Sequence, residues 1–294
     1  MAFELFWFFP SLQYQIHLAE KNQHFIDPQP LMRVLTTVAP RDALFTAGNL
    51  TILSWLMWLA GWAALVGCRT RTALFLLALG EWVFVSHAYS YGDVHHNQAL
   101  FAIFLLALAF SPAGESLSID ALLRRRRART GGEPVEAPRS DLAMWPLKLA
   151  HVLLALTYFS TGITKLLVGG FRWMNGYTLQ ISVMSDAIPG NLPLGIWLAQ
   201  HHTLCIVLSV FTIVFETFYF VSLLVPRIAP LFFLGGVFFH IGLYLTGGHP
   251  FFQHIVMNAM LLLFLDRDWF PALVHRVRSA AAGRGTRQEA PEAS

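Results

Sequence analysis

The stretch MWPLKLAHVLLALTYFSTGITKLL (144–167) decides the fold class of this chain. A helix needs about 20 apolar residues to cross the hydrocarbon core of a membrane, and this stretch is long enough. Lys165 lies near its end, and VGGFRWMNGYTLQ (168–180), which is rich in glycine and aromatic residues, follows directly. Because a lysine is costly in hydrocarbon, Lys165 should either reach the lipid headgroups or face a polar cavity.

Similar apolar segments recur along the chain. The sequence predicts membrane-spanning helices at 43–67, 73–90, 97–112, 143–167, 203–225, 228–248 and 251–265. The composition agrees, because 13% of the 294 residues are charged and 55% are hydrophobic, whereas soluble domains carry about 25% charged residues. We therefore expect an all-α fold, a polytopic integral membrane helical bundle of about seven transmembrane helices. The net charge of +3 does not indicate a nucleic-acid partner; the expected partner is membrane lipid.

Three regions are expected. Residues 1–40 are mixed in character and should form an interfacial N-terminal segment, which the apolar MAFELFWFFP opens without the preceding basic residues of a signal peptide. Residues 41–270 should form one transmembrane domain. Residues 271–294 should form a cytoplasmic, partly disordered tail, because GRGTRQEAPEAS offers no apolar face to bury.

The arginines predict the orientation in the membrane. They concentrate in alternate connections, namely Arg69 and Arg71, then Arg124 to Arg127 with Arg129 and Arg139, then Arg227, and then the tail after residue 265. Connections rich in Lys and Arg face the cytoplasm. We therefore expect the N-terminus outside and the C-terminus in the cytoplasm.

This topology collects ionisable side chains toward one side of the membrane. The outer half or the outer surface should hold His87, His95, His96, His201, His202, His240, His249 and His254. Lys165 should lie at the outer end of the fourth span. Such a cluster predicts a site that opens to the outer face or the outer leaflet.

Helical spacing groups some of these residues on common faces. Tyr158, Thr161 and Lys165 are three and four residues apart, and Gly162 beside them allows another helix to pack closely. Other polar sets at helical spacing are His240 with Tyr244, His254 with Asn258, and Thr212 with Glu216 and Tyr219. Lipid cannot satisfy polar groups, so these faces should point into the bundle.

Lys165 has a chemical and a structural interpretation. An amine in an apolar pocket loses hydration of its charged form, and a neutral amine can act as a general base, with a histidine to share the proton. Alternatively, Lys165 extends toward the headgroups, as lysines near helix ends commonly do. The histidines could equally be interfacial residues, or form a metal or haem site, although their spacing matches no metal motif.

The region around Lys165 also carries a family resemblance. YFSTGITKLLVGGFRWMNGYTLQ (158–180) resembles the G-x-x-K-L…W-x-x-G-x-x-L pattern of the HTTM family, which includes the membrane module of vitamin K-dependent gamma-glutamyl carboxylase. The matching positions are Gly162, Lys165, Leu166, Trp173, Gly176 and Leu179. FFHIGLYLTGGHPFFQHIVMNAMLLLF (238–264) and the stretch from about 95 to 123 are also similar to the family.

The resemblance implies a reaction and a set of site residues. Lys165 would be the base that deprotonates an isoprenoid quinol, a vitamin K-like cofactor that enters from the bilayer. His240 and a histidine near the third span, His96, would assist; His95 and Asn97 are alternatives to His96. The quinol would contact Tyr158, Gly162, Trp173, Tyr244 and His254. No metal is expected.

A non-enzymatic membrane protein is the alternative function. In a helper, immunity or transport component the bundle would serve as a scaffold, and Lys165 would have a structural role. The sequence identifies no protein partner. In either case we expect an integral membrane protein, located in the inner membrane of a bacterium.

Overall fold

The computed structural model describes residues 16, 20, 25–92, 96–131 and 144–263, without the side chains of residues 96 and 97. These residues form helices and connecting loops, and the described part of the chain contains no strand. The contacts divide the chain into two compact units, residues 1–154 and 155–294. We describe each unit by itself.

The first unit contains six helices in its described part and the beginning of a seventh. They are α1 (Pro30–Val38), α2 (Arg41–Leu44), α3 (Ala47–Val66), α4 (Thr70–Ser90), α5 (His96–Phe110), α6 (Ile119–Gly131) and α7 (Trp145–Gly169). Helix α4 is central, since it packs against α1, α3 and α5 and buries most of its span, whereas α3 buries a third. Gly80 permits close packing of α4 on α3, because a Cβ there would lie 2.5 Å from Cγ of Met57.

One end of this unit brings two arginine-rich connections together. Asp120 at the start of α6 accepts hydrogen bonds from the backbone N–H of Arg69 and Thr70, at 2.9 and 2.8 Å, and from the Thr70 hydroxyl. Its carboxylate thus caps the N-terminus of α4. Nε of Arg71 donates to the carbonyl of Ser111 at 3.1 Å. The predicted topology places these connections on the same side of the membrane, and the contacts agree with it.

Helix α7 extends beyond the predicted span. The sequence indicates an end near residue 167, but the helix reaches Gly169 and continues as a 3₁₀ helix, Gly170–Asn175. The combined segment Trp145–Asn175 has 31 residues. Lys165 therefore lies close to the end of α7 at Gly169, as the sequence predicts, and the 3₁₀ helix continues the segment beyond it.

The second unit contains the end of α7, the 3₁₀ helix and six further helices in its described part. These are α8 (Tyr177–Ala187), α9 (Pro193–Ala199), α10 (His202–Phe218), α11 (Val221–Leu224), α12 (Ala229–Gly247) and α13 (Phe252–Leu263). Helices α12 and α13 pack against each other, while α8 contacts α9, α10 and α12. Helices α9 and α10 meet at a bend of 100°.

The connection between the fourth and fifth predicted spans meets the connection between the sixth and seventh in this unit. Asp186 on α8 pairs with His249 after α12, with Oδ2 3.0 Å from Nε2. A Cβ on Gly195 would lie 2.0 Å from the Thr246 carbonyl oxygen, so α9 packs its backbone directly against the end of α12. The contacts therefore join the segments 168–202 and 247–252. The predicted topology places both segments on the same side of the membrane, and these contacts agree with it.

Four described segments are long and apolar enough to cross a membrane, namely α3, α4, Trp145–Asn175 and α12. The bent pair α9 and α10 makes a fifth if it counts as one span, and α5 and α13 are apolar but shorter. Each predicted apolar segment thus coincides with a helix. The structure supports a membrane helical bundle, and it confirms four of the seven predicted spans by length and composition.

Candidate functional site

Lys165 forms an ion pair with Glu216 on α10. The Nζ atom lies 2.5 Å from Oε2 of the carboxylate. The Glu216 side chain is 7% exposed and that of Lys165 is 25% exposed. The pair is therefore shielded on the side of α10 and partly open on the side of the lysine.

Gly162 brings the two helices close enough for this pair to form. A Cβ at this position would lie 2.6 Å from both the backbone nitrogen and the Oγ1 atom of Thr217. No larger residue fits without moving α10 away. Since Lys165 follows Gly162 by three residues, both face α10 and the lysine reaches Glu216.

The 3₁₀ helix places an aromatic ring on the other side of the amine. Nζ of Lys165 lies 5.5 Å from the ring centroid of Trp173, within the range of a cation–π interaction. The segment ends at Gly176, whose φ of +83° favours glycine and whose missing side chain leaves room for Ile206 N, 2.7 Å from an added Cβ. Gly176 thereby fixes the register of the 3₁₀ helix against α10.

A second, fully buried polar cluster lies two turns back along α7. The Tyr158 hydroxyl lies 2.8 Å from Nε2 of His240 on α12 and accepts a hydrogen bond from Nδ2 of Asn258 on α13, at 3.2 Å. The Tyr219 hydroxyl donates to Oδ1 of Asn258 at 2.6 Å. These four side chains, which we call the tyrosine cluster, join the helices of the second unit.

Aromatic stacking holds the tyrosine cluster in place. The rings of Tyr158 and Tyr219 stack with centroids 4.3 Å apart, and the rings of His240 and His254 lie 4.7 Å apart. All four side chains are buried. Tyr158 and Lys165 are separated by two helical turns, or about 10 Å along α7, so the ion pair and the tyrosine cluster form adjacent layers.

The predicted site residues have different places in the structure. Lys165 is one member of the ion pair, and Gly162 and Trp173 lie beside the pair. Tyr158 and His240 belong to the tyrosine cluster, and His254 packs against it. Tyr244 is 38% exposed, and its ring packs on Phe252, outside this cluster. His96 begins α5 in the first unit, but its side chain lies outside the described residues.

Sequence reasoning missed the partner of Lys165. Helical spacing grouped Glu216 with Thr212 and Tyr219 on one face and gave no partner for Lys165. Charged residues inside membrane segments usually pair with one another, so a lone lysine and a buried glutamate on two spans carried a usable signal. Tyr219 and Asn258 were recognised as polar positions but not as one cluster.

Three of the predicted outer histidines, His201, His202 and His249, have partners other than Lys165. Nδ1 of His202 lies 2.9 Å from the Gln180 side-chain oxygen, Nδ1 of His201 lies 2.7 Å from the Trp197 carbonyl, and His249 pairs with Asp186. Within the described ranges, no group of three or more His, Cys, Asp or Glu residues could hold a metal ion. The metal or haem interpretation thus gains no support from these residues.

The surface beside Lys165 is apolar. Leu167, Val168 and Phe171 are each at least 80% exposed, as expected of side chains that contact lipid. Because Nζ of Lys165 lies 2.5 Å from Oε2 of Glu216, the unit available for chemistry is the pair and not an isolated amine. The pair can accept a proton on the carboxylate while the ammonium remains to bind an anion.

Apolar helices with buried polar layers between them define the class of this molecule. It is a multi-pass membrane protein, built from helices that enclose their polar side chains. The sequence model of the HTTM domain matches residues 6–269, nearly the whole chain. The chain therefore belongs to the HTTM family, which confirms the resemblance seen around Lys165. No curated protein and no solved structure matched in the same comparisons.

Proposed function

We propose that this protein is a membrane enzyme that binds an isoprenoid quinol, or a similar lipid-soluble acid, at the Lys165–Glu216 pair, with Glu216 as the base and Lys165 as the cation that stabilises the resulting anion. The ion pair carries the proposal, because two ionisable groups meet in apolar segments with the lysine side partly open. Ionisable groups at such positions are usually functional. The reaction class is that of the carboxylases and oxygenases that use a quinol.

The residues present fit such a molecule. A quinol supplies an ionisable hydroxyl group on a flat ring attached to an apolar tail. Trp173 offers an aromatic face beside the lysine. The exposed Leu167, Val168 and Phe171 provide an apolar approach from the bilayer, and the Gly162 and Gly176 contacts hold this surface against α10.

The proton transfer divides between the two members of the pair. Glu216 accepts a proton from the bound hydroxyl, and the Lys165 ammonium stabilises the negative charge that remains on that oxygen. The apolar surroundings strengthen this electrostatic stabilisation, because few water molecules screen it. Tyr158, His240 and His254 support α7 from the adjacent layer and keep the lysine oriented.

Lys165→Ala is expected to reduce quinol binding at least tenfold. The protein would be purified with lipid, and bound quinone would be extracted and measured after exposure to menaquinol, together with oxygen consumption in proteoliposomes. Lys148→Ala is the matched control, because Lys148 is an exposed lysine near the start of the same helix. If Lys165→Ala bound and consumed menaquinol as wild type does, the proposal would be rejected.

A structural role for Lys165 is the second candidate function. The observation in its favour is that Lys165 and Glu216 neutralise each other's charge, while Tyr158, Tyr219 and Asn258 form hydrogen bonds with one another. In a helper, immunity or transport protein, these contacts would hold the helices together without any catalytic role. This candidate predicts that Lys165→Ala leaves quinol binding and oxygen consumption as in wild type and lowers the stability of the protein.

The proposed orientation has the N-terminus outside and the C-terminus in the cytoplasm of a bacterial inner membrane. Cys68 provides a direct test, since it lies exposed between α3 and α4 while Cys205 is buried. A membrane-impermeant maleimide should label Cys68 in inverted vesicles and not in sealed right-side-out vesicles. Cys68→Ser should abolish labelling. Labelling of Cys68 in sealed right-side-out vesicles would show that the orientation is the opposite of the one proposed.

A further inference from the structure

An apolar groove runs along the outside of the first unit between α3 and α4. It encloses about 590 Å³ and extends from Leu53 to Ala63 on α3 and from Thr72 to Val83 on α4. Apart from its end near Cys68 and Arg69, its walls are almost entirely apolar. At 1.5 Å per residue the groove is about 15 Å long, which is half of the roughly 30 Å hydrocarbon core. Its length therefore matches one leaflet.

The groove opens into a polar pocket at the arginine-rich end of the unit. This pocket encloses about 550 Å³ and shares Arg69 and Thr72 with the groove. Three arginines line it, Arg69, Arg71 and Arg124, together with two acids, Glu115 and Asp120. The three cations and two anions leave the lining with one net positive charge.

One of the two acids is already engaged within the protein. Asp120 caps α4. Hydrogen bonds from the Thr70 backbone N–H, the Thr70 hydroxyl and the Arg69 backbone N–H hold the pKa of this carboxyl below its ordinary value. Its charge is thus matched by the N-terminus of α4. The arginine side chains remain to bind a ligand.

Arg69 occupies a backbone conformation that seldom suits an arginine. Its φ is +45°, in the left-handed region that favours glycine or asparagine. The Arg69 guanidinium forms no hydrogen bond or ion pair with any residue in the described ranges, while Arg71 and Arg124 contact the carbonyls of Ser111 and Gly114. A strained residue with an available charge at a pocket mouth points to a binding role.

We propose that the groove and the arginine pocket together bind one anionic phospholipid. An acyl chain lies in the groove between α3 and α4, and the headgroup phosphate contacts Arg69, with Arg71 and Arg124 adding positive charge. The second acyl chain stays in the surrounding bilayer. Basic pockets beside membrane helices favour anionic headgroups, and the continuity of the pocket with the groove indicates a lipid instead of free phosphate.

Native mass spectrometry of the full chain in detergent tests this site. The protein would be offered equal amounts of phosphatidylglycerol and phosphatidylcholine with the same acyl chains. Wild type should retain phosphatidylglycerol about fivefold more strongly, and Arg124→Gln should remove most of this preference. Arg126→Gln is the matched control, because Arg126 lies on the same helix but does not line the pocket.

Two further variants separate headgroup binding from chain binding. Arg69→Asn removes the charge with a residue that tolerates positive φ, and it should lower phosphatidylglycerol retention about fivefold while leaving phosphatidylcholine unchanged. Ala63→Phe fills the groove and should reduce retention of both lipids. Thermal midpoints in lipid-free detergent verify folding. Equal retention of the two lipids by wild type, or equal effects of Arg124→Gln and Arg126→Gln, would overturn the proposal.

Discussion

Gly162→Ala is expected to destabilise the protein by about 3 kcal/mol, near the upper end of the usual cost of overpacking. The added methyl group would lie 2.6 Å from the Thr217 backbone nitrogen. A flexible side chain could turn aside, but a helix backbone cannot, so α10 must move away from α7. The same movement should lengthen the Lys165–Glu216 pair and weaken quinol binding.

The matched control for Gly162 is another helical glycine in the second unit. An added Cβ on Gly242, on α12, would meet no atom within 4 Å. Gly242→Ala should therefore be neutral or stabilising by up to about 1 kcal/mol, because alanine favours a helix. Unfolding free energies of both variants in mild detergent provide the comparison; similar values for the two would show that α7 and α10 do not pack as described.

Glu216→Ala is expected to cost about 2–3 kcal/mol of stability. Removal of one partner from a fully buried ion pair typically costs about 3–5 kcal/mol, and the partial exposure of Lys165 lowers this figure. The double variant Lys165→Met with Glu216→Leu should recover most of the loss, since apolar side chains of similar size can replace a buried pair. A double-mutant cycle on the free energy of unfolding measures this coupling.

Ser209→Ala on the same helix serves as the control for Glu216. The Ser209 hydroxyl is buried and has no hydrogen-bond partner among the described residues, so its removal should change stability little. An additive cycle, with no coupling between positions 165 and 216, would show that the pair does not form. The double variant also separates the two candidate functions, because an enzyme would lose quinol turnover, whereas a scaffold protein would keep its structural function.

The positions of the helices could be predicted from the sequence because apolar runs are a strong and local signal. Each of the seven predicted segments overlaps a helix. The fourth span was predicted to end at residue 167, whereas the helical segment continues to Asn175. Contacts with α10, above all at Gly176, hold this segment as a 3₁₀ helix, and no pattern within the segment reveals such long-range packing.

The candidate site was partly predictable for the same reason. Spacing along α7 placed Tyr158, Thr161 and Lys165 on one face with Gly162 beside them, and in the structure Gly162 and Lys165 both contact α10. The pairing of Lys165 with Glu216 depends on how two helices cross, which periodicity within either helix does not encode. Spacing also grouped Tyr244 with His240, but Tyr244 lies near the end of α12 and is partly exposed.

The Lys165–Glu216 contact joins positions 51 residues apart in the chain. The lysine therefore leaves the ribosome first, and at about 5–20 residues per second it precedes the glutamate by roughly 3–10 seconds. During biogenesis α7 carries a cation whose eventual counter-ion has not yet been synthesised. We expect α7 to be held in the membrane more stably once α10 has followed, so a truncation before Glu216 should leave a less stably inserted nascent protein that quality-control proteases remove.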